Sequence, residues 1–81
     1  MTREQVLELM RRILDVRGKD PSRVREDAVL RDIAFRSLDF SELCLRVEQE
    51  IGRELNFDAA ALRRIESVAD VCDFLESAAA E

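Results

Sequence analysis

Apolar residues return along the start of the chain at Val6, Leu9, Met10, Ile13 and Leu14, the spacing of one buried helix face. Thr2 precedes them with Gln5 three positions on, a capping-box arrangement, so the pattern predicts a helix over residues 3–16. Lys19-Asp20-Pro21 prevents its continuation. Residues 17–36 read as a polar connection, but Val24, Ala28, Leu30 and Ile33 are spaced through it and can pin it to a core. An ordered loop is therefore expected, not a free linker. Periodicity resumes with Phe40, Leu43, Cys44, Val47 and Ile51, which predicts a helix over 37–52 ended by Gly52. Leu55 and Phe57 lead to a short helix over 58–65, capped by Asp58 and turned inward at Leu62 and Ile65. Ser67 and Asp70 form a second capping pattern before Val68, Val71, Cys72 and Leu75, predicting a last helix over 67–77 and a fraying end beyond it. The fold class expected is all-α: a four-helix bundle with three longer helices, a short third one and a long first loop.

Composition agrees. The 81 residues suffice for one domain, and 47% hydrophobic with 38% charged residues suits a globular chain. Two Gly and one Pro leave few breakers. No apolar run approaches the length of a membrane span, and the charge-interrupted N-terminus is not a signal peptide, so a cytoplasmic location is expected. Cys44 and Cys72 lie in apolar helical patterns without CxxC spacing, and they read as small buried hydrophobes.

Charge changes the picture. Residues 1–36 hold nine Lys/Arg against seven Asp/Glu, a balance of +2, whereas residues 37–81 hold four against eleven, a balance of −7. An acidic half argues against nucleic acid or an anionic membrane as partner and favours basic protein surfaces. The same charges could equally serve only to keep the domain soluble.

Candidate chemistry is sparse. The chain has no His, so neither a Ser-His or Cys-His nucleophilic pair nor a His-bearing metal site can be built from it. The two glycines are isolated and form no phosphate loop. The carboxylates are expected on exposed helix faces, with nothing to desolvate them. An enzyme is not expected. What remains is Ser37, at the junction of the long loop and the second helix, with Leu38 anchoring the turn and Asp39 bringing charge to the helix start. The free N–H groups of a helix start suit a phosphate attached there. From position alone, however, such a serine is more often an ordinary cap.

The run Ser37-Leu38-Asp39, then Glu42-Leu43, then Val47-Glu48-Gln49-Glu50-Ile51 resembles the acyl carrier protein signature, in which D-S-L-[DE] opens the second helix. Leu55, Asp58, Ile65, Ser67-Val68 and Val71–Leu75 continue the resemblance in register, so that it spans nearly the whole chain. The resemblance implies a 4'-phosphopantetheine arm, transferred from coenzyme A to Ser37 by a Mg-dependent phosphopantetheinyl transferase and holding acyl, or aminoacyl, groups as thioesters. It implies partner enzymes with basic docking patches that read Asp39, Glu42, Glu48 and Glu50. It also implies an acyl-sheltering interior lined by Leu43, Val47, Ile51, Leu62, Ile65 and Val71. A monomer is expected, serving fatty-acid, polyketide or other secondary-metabolite synthesis. Two departures stand out. Arg36 replaces the family's usual Asp, reversing a charge beside the serine and marking a position of partner recognition. Ile33-Ala34-Phe35 also lacks the usual loop glycine. Together with the bulky Phe40, they point to a specialised carrier. The alternative from another class is an unmodified helical interaction domain, with Ser37 as a cap and the acidic face as its docking surface.

Overall fold

The computed structural model describes residues 1–56 and 59–80. Four α-helices follow in the expected order: α1 (Arg3–Val16), α2 (Ser37–Ile51), α3 (Ala59–Leu62) and α4 (Val68–Ala79). A 3-10 turn over Pro21–Arg23 interrupts the first loop, with Asp20 accepting the Ser22 N–H at its start. Among the described residues there is no strand, only an isolated bridge between Val29 and Ser67. The all-α bundle expected from periodicity is the fold observed. No helix among the described residues is long and apolar enough to cross a membrane.

α1 packs against both α2 and α4. Val6, Met10, Ile13 and Leu14 from α1 meet Leu43 and Val47 from α2 and Val68, Val71, Cys72 and Leu75 from α4, all of them fully buried. Each such side chain contributes about 1.5–3 kcal/mol by leaving water, which makes this three-helix seam the main source of stability. Both predicted caps at α1 and α4 form. Thr2 Oγ1 accepts the Gln5 N–H at 3.2 Å while Gln5 Oε1 accepts that of Thr2 at 2.8 Å. Ser67 and Asp70 exchange the same pair of bonds at 3.1 Å each.

The first loop is ordered, and by more than its apolar residues. Val24, Ile33 and Phe35 are buried in the core, with Ala28 and Leu30 half-buried against it. Its backbone is also tied to the start of α4: Leu30 N–H donates to Glu66 C=O at 3.0 Å, and Val68 N–H and Ala69 N–H donate to Ala28 C=O and Glu26 C=O. Arg3 adds a fork, pairing with Glu26 and Glu76 at 3.1 Å and with Asp73.

Two helix ends differ from expectation. α3 stops at Leu62 and not at residue 65, because i→i+3 bonds from Arg64 and Ile65 tighten the chain into the turn that delivers the Glu66 carbonyl to Leu30. Its expected cap, Asp58, lies outside the described residues, as does Phe57. α4 continues past residue 77 to Ala79, since Ala78 and Ala79 pack against the core and Arg53 Nη2 donates to the Ala79 carbonyl at 2.8 Å.

Ala34 adopts φ +60, the left-handed region where a Cβ costs about 1–2 kcal/mol. It stands in the stretch where the resemblance expects glycine. Ala34→Gly should therefore hold stability level or raise it by up to about 1 kcal/mol in urea unfolding. A clear loss would show that the Ala34 side chain matters more than its backbone strain.

Candidate functional site

The start of α2 is built around a carboxylate. Asp39, at the third helical position, is 0% exposed. Its Oδ2 accepts the Arg36 N–H at 2.9 Å and the Lys19 ammonium at 2.8 Å, and its Oδ1 lies 3.0 Å from Arg17 Nε as an ion pair. Lys19 also donates to the carbonyl of the strained Ala34 at 2.6 Å. Gly18, at φ +75, lets the chain leave α1 so that Arg17 and Lys19 both reach back to α2. One buried carboxylate thus joins the end of α1, the end of the loop and the start of α2. Burial pushes its acid up, but the Arg36 N–H, the Lys19 hydrogen bond and the two cations outweigh that, and Asp39 titrates below the ordinary carboxylate range.

This arrangement settles what Ser37 does locally. The cap position of α2 is Arg36, and its amide is satisfied by Asp39, so Ser37 is the first residue of the helix proper. Among the described residues the Ser37 hydroxyl makes no hydrogen bond, and the residue is exposed. The premise that it serves as a cap is therefore removed. As in any helix, the N–H groups of the first turn have no intrahelical acceptor and point outward beside this hydroxyl. A phosphate carried on Ser37 would meet those donors and the adjacent Arg36. The site fits a phosphodiester.

Beside Ser37 lies an open groove of about 980 Å³. Its apolar wall includes Leu30, Phe35, Phe40, Leu62 and Ile65, and its charged lining residues are Arg31, Arg36 and Glu66. Phe40 stacks at a tilt on Phe74, with ring centroids 5.9 Å apart, which fixes one wall.

Several sequence expectations need correction here. Asp39 is not part of a surface that a partner can read; it is interior, hydrogen-bonded through Oδ2 and ion-paired through Oδ1. The expectation that nothing desolvates the carboxylates also fails at this residue. Glu42 is claimed by Arg17 at 2.9 Å and Arg46 at 2.8 Å, and Glu48 accepts the Leu55 N–H at 2.9 Å. Of the four acidic residues, Glu50 alone has no partner among the described residues. Leu38 does not anchor the turn: it is 72% exposed. Of the six residues expected to line an acyl interior, Leu43, Val47 and Val71 are sealed in the core and Ile51 packs against it, whereas Leu62 and Ile65 reach the groove.

Other functional positions escape sequence reasoning. Lys19 and Arg17 read as ordinary loop cations, since nothing local announces a partner twenty residues away. Leu30, Phe35 and Phe40 have the apolar character of wall residues, but only the folded loop brings them together. Cys44 is half-buried, and its thiol is pushed up by burial to about 11; Cys72 is raised for the same reason. No cluster of three or more metal-ligating side chains occurs among the described residues. A family model described as the phosphopantetheine attachment site matches residues 4–75.

The carboxylate network generates two predictions. Asp39→Asn should lower the unfolding free energy by about 2–3 kcal/mol, because it leaves two cations facing a neutral amide. Since the folded-state acid is depressed, its contribution is present above the unfolded pKa of about 3.9 and is lost as pH falls below it. The gap between wild type and Asp39→Asn in denaturant titrations should accordingly close as pH drops below about 4. Ser37→Ala, by contrast, should change stability by no more than about 0.5 kcal/mol; a loss near the ~1 kcal/mol of a true cap would contradict the assignment of Arg36 to that position.

Proposed function

Because the chain belongs to the phosphopantetheine-binding carrier family, we propose that Ser37 is the residue that carries its 4'-phosphopantetheine. The prosthetic group of this family is covalently bound. It supplies a thiol at the end of a long arm, on which cargo is held as a thioester. The observation that carries the reading is the solvent-open, unbonded Ser37 hydroxyl on the first turn of α2, within the matched segment.

Loading follows from what this chain provides. Ser37 Oγ is the nucleophile towards the diphosphate of coenzyme A, held in a transferase that supplies Mg and a base. The new bond is Ser37 Oγ to phosphorus. The bond that breaks releases adenosine 3',5'-bisphosphate, and the hydroxyl proton passes to the transferase's base. Asp39, the carboxylate nearest in sequence, cannot take that proton: it is interior and already bound to Lys19 and Arg17. The base must come from the partner, which accords with a carrier that has no catalysis of its own.

The cargo is an acyl or aminoacyl group delivered to enzymes of fatty-acid, polyketide or other secondary-metabolite synthesis. The groove beside Ser37, walled by Phe35, Phe40, Leu62 and Ile65, is the shelter nearest the attachment point. The sealed interior at Leu43, Val47 and Val71 is not needed for it. Arg36 and the Ile33-Ala34-Phe35 turn favour a specialised carrier over a housekeeping one.

Incubation with coenzyme A, Mg and a promiscuous phosphopantetheinyl transferase should add one phosphopantetheinyl group to the wild type and none to Ser37→Ala. The two proteins should show the same helical circular dichroism. An unchanged intact mass across several transferases would refute the assignment.

A further inference from the structure

The charges around Ser37 are not those that the sequence leads one to expect. Three of the four carboxylates on α2 are consumed within the fold: Asp39 by Lys19, Arg17 and the Arg36 amide, Glu42 by two arginines, and Glu48 by the Leu55 amide. Arg31 and Arg36 line the groove beside Ser37, and neither makes an ion pair among the described residues. Arg63 and Arg64, between the groove residues Leu62 and Ile65, are likewise exposed and unpaired. Glu66 is the one carboxylate among the groove's described lining residues. The charge among the groove's described lining residues is therefore two arginines against one carboxylate, although residues 37–81 are acidic overall.

Apolar exposure adds a second observation. Leu38 is 72% and Leu45 59% exposed, the two largest such values on α2. Seven residues apart, they stand nearly in line along one helix face with the exposed Ser41 between them. Neither packs onto the core. Leu45 lies about 12 Å along the axis from Ser37, too far to act on the attachment chemistry and near enough to be covered by any enzyme working there.

Resting on the reading of Ser37 as the attachment site, we propose that partner enzymes recognise this carrier through the Leu38–Leu45 strip and its Arg31 and Arg36 rim, and so present an apolar recess edged by carboxylates. Charge complementarity decides the occupant. A basic patch would face unpaired arginines at the one place that every partner must approach, whereas an acidic rim is attracted there. The leucines supply the desolvated centre that such an interface needs.

The test uses the full chain with coenzyme A, Mg and the phosphopantetheinyl transferase native to its source, and reads kcat/KM for arm transfer. Leu45→Ala should lower kcat/KM about tenfold, mainly through KM. The double variant Arg31→Glu, Arg36→Glu should lower it at least as much at low ionic strength, with the deficit shrinking in high salt. Glu50→Lys should leave it within about twofold, as expected of a charge outside the contact. Unaltered rates for both Leu45→Ala and the double variant, or a large loss confined to Glu50→Lys, would overturn the docking proposal while leaving Ser37 as the attachment site. Failure of the wild type to accept the arm at all would overturn the attachment reading and this proposal with it.

Discussion

Burying a carboxylate in an 81-residue bundle is costly unless both oxygens are engaged. At Asp39 they are: an amide and an ammonium at Oδ2, and a guanidinium at Oδ1, all within 3.0 Å. Its place at the third position of α2 adds the favourable field of the helix start. The donors come from two stretches of chain, residues 17–19 at the end of α1 and Arg36 at the end of the loop, so the junction can close only when α1, the loop and α2 are in their final places. Lys19 extends the same junction to Ala34, holding the one non-glycine residue with positive φ among the described residues. The geometry of the start of α2, where Ser37 stands, follows from this closure. Because Asp39 does the capping, the hydroxyl two residues earlier makes no hydrogen bond among the described residues.

The junction also redistributes charge. Three of the four carboxylates that look available along α2 are engaged: Asp39 in the interior, Glu42 by Arg17 and Arg46, and Glu48 by the Leu55 amide. What is left lining the groove beside Ser37, among the described residues, is apolar side chains, two unpaired arginines and Glu66. Net charge sets solubility and long-range fields, whereas the docking proposed above rests on this local rim.

How much of this was legible in the sequence depends on the range of each interaction. Local signals could be read: the capping boxes at Thr2 and Ser67, the four-residue stripe of α2, the left-handed Gly52 that ends it, and the pinning role of Val24 and Ile33. The run from Ser37 to Ile51 was sufficient to suggest the family to which the chain belongs. Long-range pairings could not be read. Nothing in Arg17 or Lys19 announces a bond to Asp39, and so Asp39 was expected at the surface. Apolar residues are legible as apolar but not as sealed or open: Leu43 and Val71 lie sealed in the core, whereas Leu30, Phe35, Phe40, Leu62 and Ile65 face the open groove. Even the short reach of α3 depends on a distant partner, the Leu30 amide that calls the Glu66 carbonyl into place.

The attachment proposed at the exposed, unbonded hydroxyl of Ser37 is tested by peptide mass mapping of the protein purified from its native source. One phosphopantetheinyl group should be found on the peptide that contains Ser37, located to that residue and not to the nearby Ser41. Unmodified peptide throughout, or the group on any other serine, would contradict it.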